Sequence, residues 1–249
     1  MKYRPDPHLE FLQLCSNDDL KGLVDVMTME NGKLRLLETL TSDETYKKHR
    51  RNLPKCWETV AAYLQICGAD TLVTTIRGHG VPYEEIVGDV AGKLGADLKD
   101  AKDIMEKEGR ILAKLFEKSF KKMPEKERVA FTKEFLEKGG NGKVDFARAT
   151  PAAMTTTLQA LILKGGFSSY QMAVIAANAV LKAATGKGLQ FAANAALTLW
   201  VAIFAGPIGW FISGLLTVLM NSGPAYSVTI PAVVHVAYLR LKLANEPLL

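Results

Sequence analysis

A chain of 249 residues, 48% hydrophobic and 23% charged with a formal net charge of +5, is long enough to bury a substantial core. Its composition is that of a globular protein and excludes a disordered or fibrous one. The opening M-K-Y-R-P-D-P-H-L-E-F has no apolar run of signal-peptide length, so a cytoplasmic protein is expected. Cys15, Cys56 and Cys67 cannot all pair and form no C-x-x-C, which reads as free buried thiols.

The elements predicted in chain order are helical. Asp6 before Pro7 reads as an N-cap followed by a proline at the first helical position, with Leu9, Phe11, Leu12 and Leu14 as the apolar face. Ser16 and Asp19 have capping-box spacing, and Leu20, Leu23, Val24 and Met27 follow at helical intervals. Leu34, Leu36, Leu37 and Leu40 suggest another short helix. Pro54 opens one carrying Trp57, Val60, Ala61 and Leu64, and Pro82 opens one carrying Ile86, Val87, Val90 and Leu94. The clearest stripe is Ile104, Ile111, Leu112, Leu115, Phe116 and Phe120, closed by Pro124. A further helix carries Val129, Phe131, Phe135 and Leu136. Gly139-Gly140-Asn141-Gly142 then breaks the pattern. No strand-period run stands out in this half. These signals divide the chain into an N-terminal helical module (1–45), a central charged helical domain (46–138), a linker (139–150) and an apolar C-terminal helical region (151–249).

Charge is distributed unevenly. Residues 165–249 hold four cations, Lys182, Lys187, Arg240 and Lys242, and one acid, Glu246. Between Lys187 and Arg240 there is no Lys, Arg, Asp or Glu, and His235 is the one group there that titrates near neutrality. Gly and Pro cut this Ala/Gly-rich region into pieces at 151–164, 168–184, 188–205, 207–220 and 225–244, each predicted as a helix. The piece from Gly188 to Ala205 would be about 27 Å long, just short of a hydrocarbon core of about 30 Å, and the piece from Pro207 to Met220 only about 21 Å. Leu197, Trp200, Phe204, Gly206, Pro207, Trp210, Phe211 and Leu215 therefore mark a hairpin that either forms ordinary core or moves onto a membrane or a membrane-protein client. Arg240 and Lys242, beyond the last apolar helix, suit lipid head groups and suit a solvated helix end equally.

The most distinctive polar stretch joins Asp70 to Arg77-Gly78-His79-Gly80 and Tyr83. His79 between glycines invites an acid/base reading. No second histidine or nucleophile accompanies it at suitable spacing, so a tight turn between helices is preferred. His8, His49 and His235 match no zinc pattern, Gly186-Lys187-Gly188 is no phosphate loop, and neither metal nor cofactor is expected. The basic run Lys47, Lys48, His49, Arg50 and Arg51 reads as a solvated helix face, and nucleic acid is not expected as a partner.

Three stretches resemble a known family: Asp6 to Leu20; Gly68-Ala69-Asp70 through Arg77-Gly78-His79-Gly80 to Tyr83, Ile86 and Asp89; and Gly206-Pro207-Ile208-Gly209-Trp210 with Gly223-Pro224-Ala225-Tyr226-Ser227-Val228-Thr229-Ile230-Pro231. The chain is similar to the YaaW-like bacterial proteins, a family without assigned function that is grouped with the ubiquinol–cytochrome c reductase assembly chaperones. The resemblance implies a C-terminal signature at Gly223, Pro224, Tyr226, Thr229 and Pro231. It carries over no catalytic residue, and through the chaperones it implies binding of a membrane-protein client.

The expectation is an all-α, multi-helix bundle with a charged N-terminal part and an apolar C-terminal hairpin region. It is expected to be non-enzymatic, cytoplasmic and peripheral at the inner membrane, engaging lipid or a membrane-protein client, with a chaperone-like or latent pore-forming role and self-association as further options. A soluble protein-interaction module and an enzyme centred on His79 are the alternatives.

Overall fold

The computed structural model describes residues 1–30, 32–35, 39–68, 80–130, 156, 160, 162–163, 166–188, 207–220 and 225–245. Those residues are mostly helical, in an all-α multi-helix fold. Its main helices are α1 (Asn17–Thr28), α2 (Glu44–His49), α3 (Trp57–Cys67), α4 (Tyr83–Leu94), α5 (Ile104–Lys122), α6 (Gly166–Thr185), α7 (Pro207–Met220) and α8 (Tyr226–Asn245). A two-stranded antiparallel hairpin, β1 (Met29–Glu30) with β2 (Lys33–Leu34), pairs Met29 with Leu34 and Glu30 with Lys33.

Local sequence explains most of the helix boundaries. The capping box at α1 is formed as predicted: the Asp19 N–H donates to Ser16 Oγ at 3.2 Å and the Ser16 N–H donates to Asp19 Oδ2 at 3.1 Å. Asp103 Oδ1 accepts the Glu106 N–H at 2.8 Å and starts α5, whose stripe from Ile104 through Phe120 is buried as its spacing requires. Gly95, at φ 68°, ends α4 in the left-handed conformation. Pro207 opens α7 at the predicted residue.

Two expectations fail locally. Residues 7–14 form no α-helix; a turn leads into a 3₁₀ helix at Glu10–Leu14. Asp6 caps two places at once, accepting the His8 N–H at 2.9 Å through Oδ1 and the Tyr83 N–H at 2.6 Å through Oδ2, and the capping box at Ser16 follows too soon for a longer helix. The helix expected around Leu34–Leu40 is replaced by β2 and a 3₁₀ turn at Leu40–Ser42 (residues 36–38 lie outside the described residues). The pair Asn31-Gly32 between the strands is the composition that favours a two-residue hairpin turn, and Gly32 adopts φ 77° while its N–H donates to the Ala184 carbonyl at 2.8 Å.

α8 is the axis of the fold. It packs against α1, α3, α4, α5, α6 and α7, and every residue from Ser227 to Leu239 is buried. Two 20-residue helices, α6 and α8, form the most extensive pairing, and the front helices α1, α4 and α5 close over it. Ala173, Ala176, Ala177, Ala179 and Ala184 of α6 are all buried, as close helix approach demands.

Candidate functional site

The polar stretch around His79 is only partly within the described residues: Asp70, Arg77, Gly78 and His79 lie outside them. Its flanks are clear. Gly80 lies against the end of α3, where a Cβ would fall 2.2 Å from the Gln65 backbone carbon, and the Val81 N–H donates to the Gln65 carbonyl at 3.1 Å. Only glycine permits that approach. The Gln65 side chain in turn bonds both the N–H and the C=O of Arg4, at 3.1 and 2.9 Å.

Tyr83 leads into a buried network that the sequence reading missed. Its hydroxyl donates to Glu108 Oε1 at 2.8 Å. Glu108, only 2% exposed, also accepts from Arg240 Nε at 2.9 Å and from a terminal guanidinium nitrogen of Arg240 at 3.1 Å. Arg240 donates to the His8 carbonyl at 2.7 Å and lies over the Phe11 ring, 4.3 Å from its centroid. Burial pushes the Glu108 carboxyl up, and the Arg240 charge with the Arg240 and Tyr83 hydrogen bonds pulls it down. All three contacts are donors, which suits an ionised carboxylate. Burial likewise lifts the Tyr83 hydroxyl well above its ordinary range, so it remains a donor. One signal was legible: Glu108 falls inside the apolar stripe of α5, one turn after Ile104 and three residues before Ile111.

The N-terminal segment holds α8 at both ends. At the far end Lys242 Nζ donates to both Asp19 oxygens, at 2.7 and 2.8 Å. Arg240 and Lys242 are thus engaged in internal ion pairs, and a lipid-facing reading of them does not fit this arrangement. At the near end Pro231 lies inside α8 and has no N–H to give the Ser227 carbonyl. Arg35 supplies that bond, donating to the Ser227 carbonyl at 2.8 Å and to Ser227 Oγ at 2.9 Å. Thr229 Oγ1 donates to the Ala225 carbonyl at 3.0 Å, and Lys93 Nζ of α4 sits 4.7 Å from the Tyr226 ring centroid. Tyr226, Thr229 and Pro231 therefore build the start of α8; Gly223 and Pro224 lie outside the described residues.

In the middle of α8, His235 is 1% exposed, and among the described residues neither ring nitrogen has a hydrogen-bond partner. Its ring is pressed on Gly22 of α1, where a Cβ would fall 2.8 Å from both Cε1 and Nε2. Tyr238 meets it edge-on at 5.4 Å. Burial lowers the imidazole to about 4, partly offset by the nearby Asp19 carbonyl and charge.

Of α6, α7 and α8, α7 is the one with an exposed apolar face. It has no charged residue along its 14 positions. Ile212, Leu215 and Leu216 are buried, while Trp210 and Val218 are 67% and 62% exposed, with Gly214 and Thr217 exposed between them. Phe211 is half-buried at the edge. Ser213 Oγ donates to the Ala179 carbonyl of α6 at 3.4 Å, one turn before the exposed Lys182. The other hairpin residues, Leu197, Trp200, Phe204 and Gly206, lie outside the described residues. Among the described residues no group of three His, Cys, Asp or Glu side chains is arranged to hold a metal ion.

Residues 3–36 match a family model described as a domain of unknown function (DUF3944). That match covers Asp6, His8, Asp19 and Arg35, the residues through which the N-terminal segment grips α4 and α8. A UPF0174 protein of Helicobacter pylori strain J99 is 39% identical over 249 residues, covering 99% of this chain and 96% of the relative. A second UPF0174 protein of that strain is 33% identical over 84% of this chain and 99% of its own length. The UPF0174 protein YaaW of Escherichia coli K12 is 31% identical, with 96% of each chain covered. No solved structure matches the chain. Likeness of this extent, over 84–99% of the chain, shows that the chain belongs to the UPF0174 (YaaW-like) family.

Proposed function

We propose that this chain is a non-enzymatic protein that docks on an anionic membrane surface through the outer face of α7, acting in the cytoplasm and peripherally at the inner membrane. The observation that carries this reading is the exposure of Trp210 and Val218 on a helix with no charge on any side. A helix that is apolar all round belongs in a core or in lipid, and the outer half of α7 is in neither. At about 21 Å it is too short to span and long enough to lie in the head-group boundary, where Trp is favoured. Lys182, exposed one turn beyond the Ala179 contact with α7, and Lys187, exposed just past the end of α6, supply charge suited to anionic lipid.

Flotation with vesicles of phosphatidylglycerol and phosphatidylcholine tests the proposal. Wild type is expected to float, and Trp210→Ser with Val218→Ser to lose at least tenfold in bound fraction while melting at the wild-type temperature. Protein that stays with the dense fraction at every vesicle composition rejects lipid docking.

A further inference from the structure

α8 is the one described helix long and apolar enough to cross a membrane, yet 78% of its apolar window is buried inside the fold. Its midpoint carries His235, a polar ring enclosed with no partner for either nitrogen among the described residues. An imidazolium here would be a charge 1% exposed, offset in part by the Asp19 carbonyl and carboxylate, in a site where Gly22 already touches the ring.

We infer that α8 is an acid-released membrane segment with His235 as its trigger: protonation of this ring breaks the packing of α8 against α1 and α6 and frees the helix, which gives the proton back to water as it enters the bilayer on which α7 has docked. The inference rests on the membrane reading above and adds the condition under which the fold yields.

The groups around the ring allow this. From α1 comes Asp19, whose carboxylate is already held by Lys242 and whose backbone carbonyl and charge favour the protonated ring without outweighing its burial. Cys15, just before α1, and Tyr170 of α6 surround Tyr238, and Tyr170 stacks on it at 6.2 Å. α3 carries Glu58, Tyr63 and Cys67; α4 and α5 bring Tyr83 and Glu108 to the Arg240 side; α7 carries no titratable group. None gives either nitrogen of His235 a bond among the described residues. Once α8 is free, Arg240 and Lys242 stand at its C-terminal end, where cations meet head groups in a spanning helix.

The sign follows from the lowered proton affinity. The unfolded or released chain takes up the proton at the ordinary histidine value of 6.5, and the folded chain only near 4. Stability from this group is full above pH 6.5 and is lost as pH falls toward 4, by up to about 300-fold in the folding equilibrium.

Three measurements on the full chain decide the matter. Proton NMR titration of the histidine Cε1 signals is expected to show one ring titrating near 4, absent in His235→Leu. Thermal unfolding from pH 7 to 4 without vesicles is expected to fall steeply in wild type and less in His235→Leu, with His235→Gln as the second variant should Leu fail to fold. Flotation is expected to become resistant to carbonate extraction below about pH 5 in wild type alone. An His235 ring that titrates near 6.5, or a substituted protein that inserts with the wild-type pH profile, overturns the trigger and leaves lipid docking intact. Absence of flotation at every pH rejects docking and the trigger together.

Discussion

Glu108 is the side chain on which the packing of α8 is most exposed to a single change. Arg240→Ala would leave a carboxylate 2% exposed with Tyr83 as its remaining side-chain donor, a loss of about 3–5 kcal/mol when one partner of a buried pair is removed. Urea unfolding should show that loss, and Glu108→Leu with Arg240→Met should recover most of it, because two apolar side chains leave no buried charge. Gly80 is critical for a different reason. Any Cβ there meets the Gln65 backbone and not a yielding side-chain tip, so Gly80→Ala should cost more than the about 1 kcal/mol of an average substitution and lower the melting temperature measured by circular dichroism. Neither residue's role could be read from its type: Glu108 looked like one of the charges filling α5, and Gly80 like one of two glycines in a tight turn around His79.

At the scale of elements, α5 and α7 were legible because their signals are local. A stripe at helical spacing decides α5, and a proline at the start with no charge afterwards decides α7. The segment 29–42 was not legible, because strands of two residues are too short to show a period, and the Asn31-Gly32 pair is a turn signal that helical spacing does not register. α8 shows how one element borrows from another. Pro231 strips the Ser227 carbonyl of its helical donor and Arg35 restores it. Arg35→Ala should therefore destabilise the protein by about 1–3 kcal/mol. In a Pro231→Ala background the backbone N–H returns and the same substitution should cost markedly less, a difference that a double-mutant cycle in guanidinium measures directly.

For the whole molecule, the arrangement is a charged front clasping one apolar helix, with a second apolar helix left half outside. Lys242–Asp19, Arg240–Glu108 and Arg35–Ser227 tie the front to α8 over sequence separations of more than 100 residues. Such ties give no trace in periodicity, which is why Arg240 and Lys242 looked like free helix-end cations. The same clasp makes stability a function of pH through His235. Wild-type melting temperature should be level above pH 6.5 and decline from there toward pH 4, where the folded ring itself takes up a proton.

The sequence by itself determined the all-α class, the cap of α1, the stripe of α5, the limits of α7, and the need for a long uncharged C-terminal stretch to be covered, since each follows from neighbours within a few turns or from composition. Only the tertiary structure decided that α8 is the covered helix and that α7 keeps Trp210 and Val218 in the open. Both helices are uncharged over most of their length. Which of them is sheltered depends on partners far away in the chain, and hydrophobicity sets the demand for burial without naming the surface that meets it.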